Sequence, residues 1–332
     1  MLEIPLLLIA ILIIALVFDY TNGVHDSANA IATVVSTKVL SPKQAVLMAA
    51  ALNLAGAFIG THVAATVGKG IVNTEMISGC QTLILAALLA AISWNLLTWY
   101  WGLPSSSSHA LIGGLMGAAI MYKGWDTLNY TSILWKVIMP LFLSPVAGFI
   151  GGYILMLCVA WLTYKHKPAR TNKAFKKLTI ISGGFMALSH GSNDAQKTMG
   201  IITLALFIFH QIPTVDVPIW VKLCCALAMM VGTMSGGWKI IKTMGNKIFK
   251  MEPVHGFSAQ TSATFVISTA SMFGAPISTT QVISTSILGV GASKRFSAVK
   301  WDVAANMVVA WVFTIPVSAI IGAGIFYLIN LL

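Results

Sequence analysis

Two aspartates in apolar surroundings are the residues of this chain best placed to do chemistry. Asp26 lies within Asn22-Gly23-Val24-His25-Asp26-Ser27-Ala28-Asn29-Ala30. Asp194 lies within Ser189-His190-Gly191-Ser192-Asn193-Asp194-Ala195-Gln196-Lys197, where the skeleton returns 168 positions later with Gly191 matched to Gly23. A carboxylate carried into an apolar run is costly, so its presence marks a site. Asp26 and Asn29 stand three apart and share a helix face, which brings oxygen ligands to one spot. Such a cluster suits Na+, and a lone carboxylate also suits H+. With Asn22 and Asn193 beside them, Asp26, Asn29 and Asp194 form a candidate cation-coupling set. In the second copy Lys197 takes the place of Asn29; with Gln196 it is a candidate contact to an anion, or it stands in for a cation. The competing structural reading makes each aspartate a cap on a half-helix.

A second pair of stretches carries hydroxyls. Ser105, Ser106, Ser107 and Ser108 follow Pro104, and Ser278, Thr279 and Thr280 follow Pro276. The two runs align at a spacing of 172, which also pairs Gly117 with Gly289. Each run opens a short helix, where free backbone N–H groups, hydroxyl donors and the positive end of the helix dipole converge on an anion without arginine. Capping alone would explain one such run; two at equivalent places favour an anion site. His25, His109, His190 and His255 lie in or near these motifs without metal-ligand spacing and read as structural or proton-relay residues. Cys80, Cys158, Cys224 and Cys225 have no CxxC spacing and read as packing residues. No GxSxG or Walker sequence occurs, so no enzymatic or ATP-driven activity is expected.

The elements that must position these residues follow from composition. Of 332 residues 57% are hydrophobic and 9% charged, with a mean hydropathy of +0.86, too little polar surface for a soluble globule. Apolar runs long enough for a core of about 30 Å recur throughout, which predicts helical spans. The sequence predicts an all-α integral membrane protein built from two inverted-topology repeats with broken helices and re-entrant helical hairpins. Residues 1–163 form the first repeat, 164–177 a cytoplasmic linker loop and 178–332 the second repeat. The first helix is expected to start at Leu2, break at Asn22-Gly23 and resume toward Thr37. Its counterpart is expected to break at Gly191, and a second span to cover Gln44 to Val67. The final span is expected to reach Leu332. The net charge of +11 reports topology. Most basic residues cluster at 38–43, 164–177, 239–250 and 294–300, which the positive-inside rule puts in the cytoplasm, with both termini opposite.

At these residues the chain resembles the inorganic phosphate transporter (PiT) family, its bacterial members especially. The resemblance rests on Asn22 to Ala30, Gly102-Leu103-Pro104 through His109, His190 through Thr198, Met251-Glu252-Pro253-Val254-His255-Gly256, and Ala275-Pro276 through Thr280. Asp26 to Ala30 matches part of the family's GANDxANA signature, with His25 where the signature has Asn, and Asn193-Asp194 keeps the expected pair. The resemblance implies uptake of inorganic phosphate across the plasma (inner) membrane, driven by Na+ or H+. No cofactor is expected besides the coupling cation. The expected partners are phosphate, that cation and the lipid bilayer, with no nucleic acid; a homodimer is left open. A sulfate permease of the same fold and a passive anion channel are the competing functions.

Overall fold

The computed structural model of the protein describes residues 5–77 and 80–331, and they are helical almost throughout. The expected start at Leu2 and end at Leu332 lie outside the described residues. The first half runs α1 (Leu6–Ser36), α2 (Pro42–Gly56), α3 (His62–Lys69), α4 (Thr74–Ile77), α5 (Thr82–Trp101), α6 (Ser107–Lys123), α7 (Tyr130–Ile133) and α8 (Met139–Thr163). The second half runs α9 (Pro168–Ile208), α10 (Ile219–Ser235), α11 (Trp238–Lys242), α12 (Pro253–Met272), α13 (Thr279–Lys294) and α14 (Trp301–Ile329). α1, α5, the continuous stretch Tyr130–Thr163 and α14 are long and apolar enough to cross a membrane, and α10 with its bent continuation to Lys247 makes a fifth such span. The outward faces of α8 and α14 bear Phe142, Val146, Ile150, Val312, Phe313 and Ile320, all exposed. This is the pattern of lipid-facing helices in a multi-pass membrane protein.

Helix starts follow local chemistry. Ser41 and Gln44 form a capping box ahead of Pro42, and Glu252 and His255 form another ahead of Pro253. Ser106 accepts from His109 N at 3.2 Å and Ser278 from Gln281 N at 3.3 Å, so the two hydroxyl runs contribute one cap each at equivalent places. The chain enters both caps from a glycine in the left-handed region, Gly102 at φ 67° and Gly274 at φ 68°.

Three expectations are corrected. α1 and α9 run unbroken through Asn22-Gly23 and Gly191. These glycines serve close packing instead. A Cβ on Gly23 would stand 2.5 Å from Met229 O of α10, and one on Gly191 would stand 2.2 Å from Asn53 O of α2. Breaks occur one helix later: the expected span Gln44 to Val67 is divided between α2 and α3, and its counterpart bends by 61° between α10 and α11. The expected linker loop 164–177 is a loop only to Lys167, because Pro168 opens α9 as a first-turn proline and 168–177 are helical.

The halves exchange partners. α1 packs on α10 and α9 on α2, while α8 packs on α13 and α14 on α6. α1 and α9 lie against each other and run antiparallel: the Asp26 region meets Asp194, and further along α1 Val34 meets Gly183. Two apolar cores result. One includes Leu8, Ile11 and Phe18 of α1 with Met199, Ile202 and Leu204 of α9, and the other includes Ile31 and Val34 with Met186 and Ala187. Between them the crossing of α1 and α9 carries a buried polar layer. At one end of the molecule two of the basic clusters meet, with Lys294 Nζ 3.2 Å from Glu252 Oε1 and Lys300 N bonded to Ile248 O at 3.0 Å.

Candidate functional site

The polar layer is built by four elements, α1 and α9 crossing at their middles and the N-terminal ends of α6 and α13 pointing in. Asp26, Asp194 and Lys197 are at most 3% exposed. One oxygen of each aspartate and a ring nitrogen of His190 all lie within 4.8 Å of one another, close enough to share a cation. The two acids predicted from separate halves therefore meet at one place.

Each acid has a histidine and a set of hydroxyls. His25 Nδ1 lies 2.7 Å from Asp26 Oδ1, and Thr280 donates to that oxygen at 2.9 Å while Ser107 donates to Oδ2 at 3.4 Å. His190 Nε2 lies 2.8 Å from Asp194 Oδ2, and Thr279 donates to the same oxygen at 2.7 Å. Lys197 Nζ contacts Asp194 Oδ1 and Ser108 Oγ and donates to Ile277 O at 2.9 Å. Asn29 Nδ2 donates to Thr279 and Thr280 at 3.1 and 3.0 Å.

These contacts obey the repeat. Ser107 on Asp26 corresponds to Thr279 on Asp194. The Asn29 amide on Thr280 corresponds to the Lys197 ammonium on Ser108, so Lys197 fills with a basic group the place that Asn29 fills with a neutral amide. An ammonium beside a buried carboxylate cancels its charge locally, which is why this lysine tolerates burial.

The remaining predicted residues divide. Ser105 shares a hydrogen bond with Thr98 at 2.8 Å and lies 3.2 Å from His25 Nε2, so it orients the histidine from behind. Ser106 and Ser278 are caps. Asn193 donates to Ser271 at 2.7 Å, away from Asp26. Gln196 is corrected: its Oε1 accepts from Val63 N at 2.9 Å and its Nε2 donates to Ile59 O at 3.1 Å, which makes it the side-chain cap of α3 and removes it from the anion set. Asn22 Oδ1 has no hydrogen-bond partner among the described residues, and its side chain faces Asp19, a buried acid that the sequence reading missed. A signal for it was present. Asp19-x-x-Asn22 repeats as Asp26-x-x-Asn29 seven residues later, which is the same face two turns on.

Chemically, the arrangement holds donors and acceptors in one buried place. The Ser107, Ser108, Thr279 and Thr280 hydroxyls, the Lys197 ammonium and two helix N-termini can hold an oxyanion. Asp26 and Asp194 can hold cations next to it.

The chain is similar to known proteins along nearly its whole length. Residues 22–322 match the model of the phosphate transporter family. The chain is 48% identical over 328 residues to a probable low-affinity inorganic phosphate transporter of Bacillus subtilis (strain 168), covering 98% of both chains. It is 45% identical over 319 residues to a probable low-affinity inorganic phosphate transporter of Rhizobium meliloti (strain 1021), covering 96% of this chain and 95% of that one. A solved structure described as the sodium-dependent phosphate transporter superposes with a TM-score of 0.88 at 24% identity, over 98% of this chain and 99% of that one, which carries the fold.

Proposed function

The chain belongs to the phosphate transporter family, and from that footing we propose that it is a secondary transporter that takes up inorganic phosphate together with a cation, Na+ or H+. The observation that carries this reading is the meeting of Asp26, Asp194 and His190 within 4.8 Å, directly at the hydroxyl-lined starts of α6 and α13. Charge counting supplies the mechanism. Two carboxylates and one ammonium leave one net negative charge. Bringing in a phosphate monoanion then calls for two further positive charges, and a dianion calls for three, because uncompensated charge in a buried site costs several kcal/mol. Cations or protons bound at Asp26 and Asp194 supply two of them. Anion and cation therefore bind together, and a passive channel has no need of such a pairing.

The phosphate is held by Ser107, Ser108, Thr279, Thr280 and Lys197, with Asn29 orienting the two threonines. The antiparallel crossing of α1 and α9 and the exchange of partners between halves support an inverted repeat, the architecture that lets one central site face either side in turn. The meeting of two basic clusters at one end supports a cytoplasmic placement of that end in the plasma membrane. The test is uptake of labelled phosphate into proteoliposomes with Na+ and pH gradients imposed in turn. Accumulation above equilibrium with at least one gradient is expected; flux that only equilibrates under both would contradict the proposal.

A further inference from the structure

The mechanism above leaves one buried acid without a task. Asp19 lies on α1 seven residues before Asp26, about 10 Å along the helix by its rise per residue, and it is fully buried. Neither of its carboxylate oxygens has a hydrogen-bond partner among the described residues. Two other buried oxygens face it in the same condition, Asn22 Oδ1 one turn on and Thr198 Oγ1 from α9. Thr198 is unusual in this. Thr179, Thr203, Thr285 and Thr314 each donate to the carbonyl four residues back in their own helices, at 2.6 to 2.9 Å, whereas Thr198 makes no such bond. Its hydroxyl is turned out of its helix toward α1.

The charged groups acting on Asp19 are Asp194 and Lys197 of α9, and the Cys225 thiol faces it from α10. Among the described residues neither Lys197 nor any other basic side chain forms an ion pair with it. Four oxygens, two from the carboxylate, one from an amide and one from a hydroxyl, converge with no basic side chain paired to them, which makes a poor anion site and a good cation site. One carboxylate among neutral oxygens suits a monovalent ion, since divalent ions recruit more carboxylates and more ligands. We propose that Asp19, Asn22 and Thr198 form a second cation site, for Na+, two helical turns from the central one. It occurs once in the molecule, because the positions of the second repeat that correspond to Asp19 and Asn22 hold Ala187 and His190. Its ion lies on the same α1 face as Asp26 and adds to the positive charge that offsets phosphate.

The proposal adds to the function above, and the two can fail separately. The experiment is equilibrium binding of 22Na+ to the full-length protein in detergent, without phosphate and at constant ionic strength. Asp26→Asn should still bind Na+ saturably, and in that background Asp19→Asn should leave at most the Na+ held by Asp194, removing the binding of the second site. Thr198→Val, which keeps the shape and loses the oxygen, should weaken it about tenfold, the equivalent of about 1.4 kcal/mol, and decides the matter if Asp19→Asn does not fold. Unchanged Na+ affinity in Thr198→Val, equal binding with and without Asp19, or no Na+ binding to Asp26→Asn would each overturn the second site. Failure of the coupling role of Asp26 would show instead as phosphate accumulation by Asp26→Asn, whatever its Na+ binding.

Discussion

Adjacent residues in one motif do unrelated work. Gln196 and Lys197 are neighbours on α9, but the amide caps α3 and the ammonium joins Asp194 to Ser108. Gln196→Ala should lower the melting temperature by an amount matching loss of a helix cap, about 1 kcal/mol, and leave phosphate affinity unchanged. Lys197→Met should weaken phosphate binding at least tenfold and strand Asp194, costing about 3 to 5 kcal/mol of stability as other broken buried pairs do. Phosphate titration and thermal melting of both variants check the contrast. The acids, the hydroxyl runs and Lys197 were legible in the sequence because a charge or a hydroxyl run in an apolar stretch needs a reason. The direction in which Gln196 turns was not, since two positions one residue apart on a helix differ by about 100°. Asp19 was masked by its separation from the longer motif, although the repeated Asp-x-x-Asn spacing pointed to it.

At the scale of elements, the starts of α6 and α13 and the middles of α1 and α9 form one unit. Ser107 and Thr279 come from different halves yet bond the two acids that meet beside His190. If both hydroxyls hold one phosphate, Ser107→Ala and Thr279→Ala should each weaken binding by about 1 to 3 kcal/mol. The double variant should then depart from additivity by at least about 0.5 kcal/mol. Additive losses in melting temperature with phosphate affinity inside twofold would mean that they are structural. The proline-hydroxyl helix starts were readable because proline, an N-cap and a glycine turn are local chemistry. The continuity of α1 and α9 was not, because glycine permits both a break and a close approach, and only the partner helix decides. Here α2 and α10 lie against Gly191 and Gly23. Gly191→Ala, whose Cβ would press on Asn53 O at 2.2 Å, should therefore lower the yield of folded protein, as overpacking at backbone does, read by monodispersity and melting temperature in detergent.

Over the whole molecule, two halves with the same order of elements exchange their packing partners and meet in a polar layer between two apolar cores. Hydropathy marks α1, α5, α8 and α14 as spans because much of their surface faces outward. It passes over α9, whose polar residues are buried against other helices, so the most functional helix is the least legible one by that measure. Internal repetition filled that gap, since the spacings of 168 and 172 tied each motif to its partner. The central claim is that anion and cation share the site where Asp26 and Asp194 meet, so that transport of one requires the other. The most direct measurement is phosphate accumulation in proteoliposomes by Asp26→Asn, an exchange that keeps the size of the side chain and removes its charge. With both gradients imposed and the protein folded, the expected result is no accumulation above the external concentration. Accumulation near that of the unaltered protein would contradict the claim.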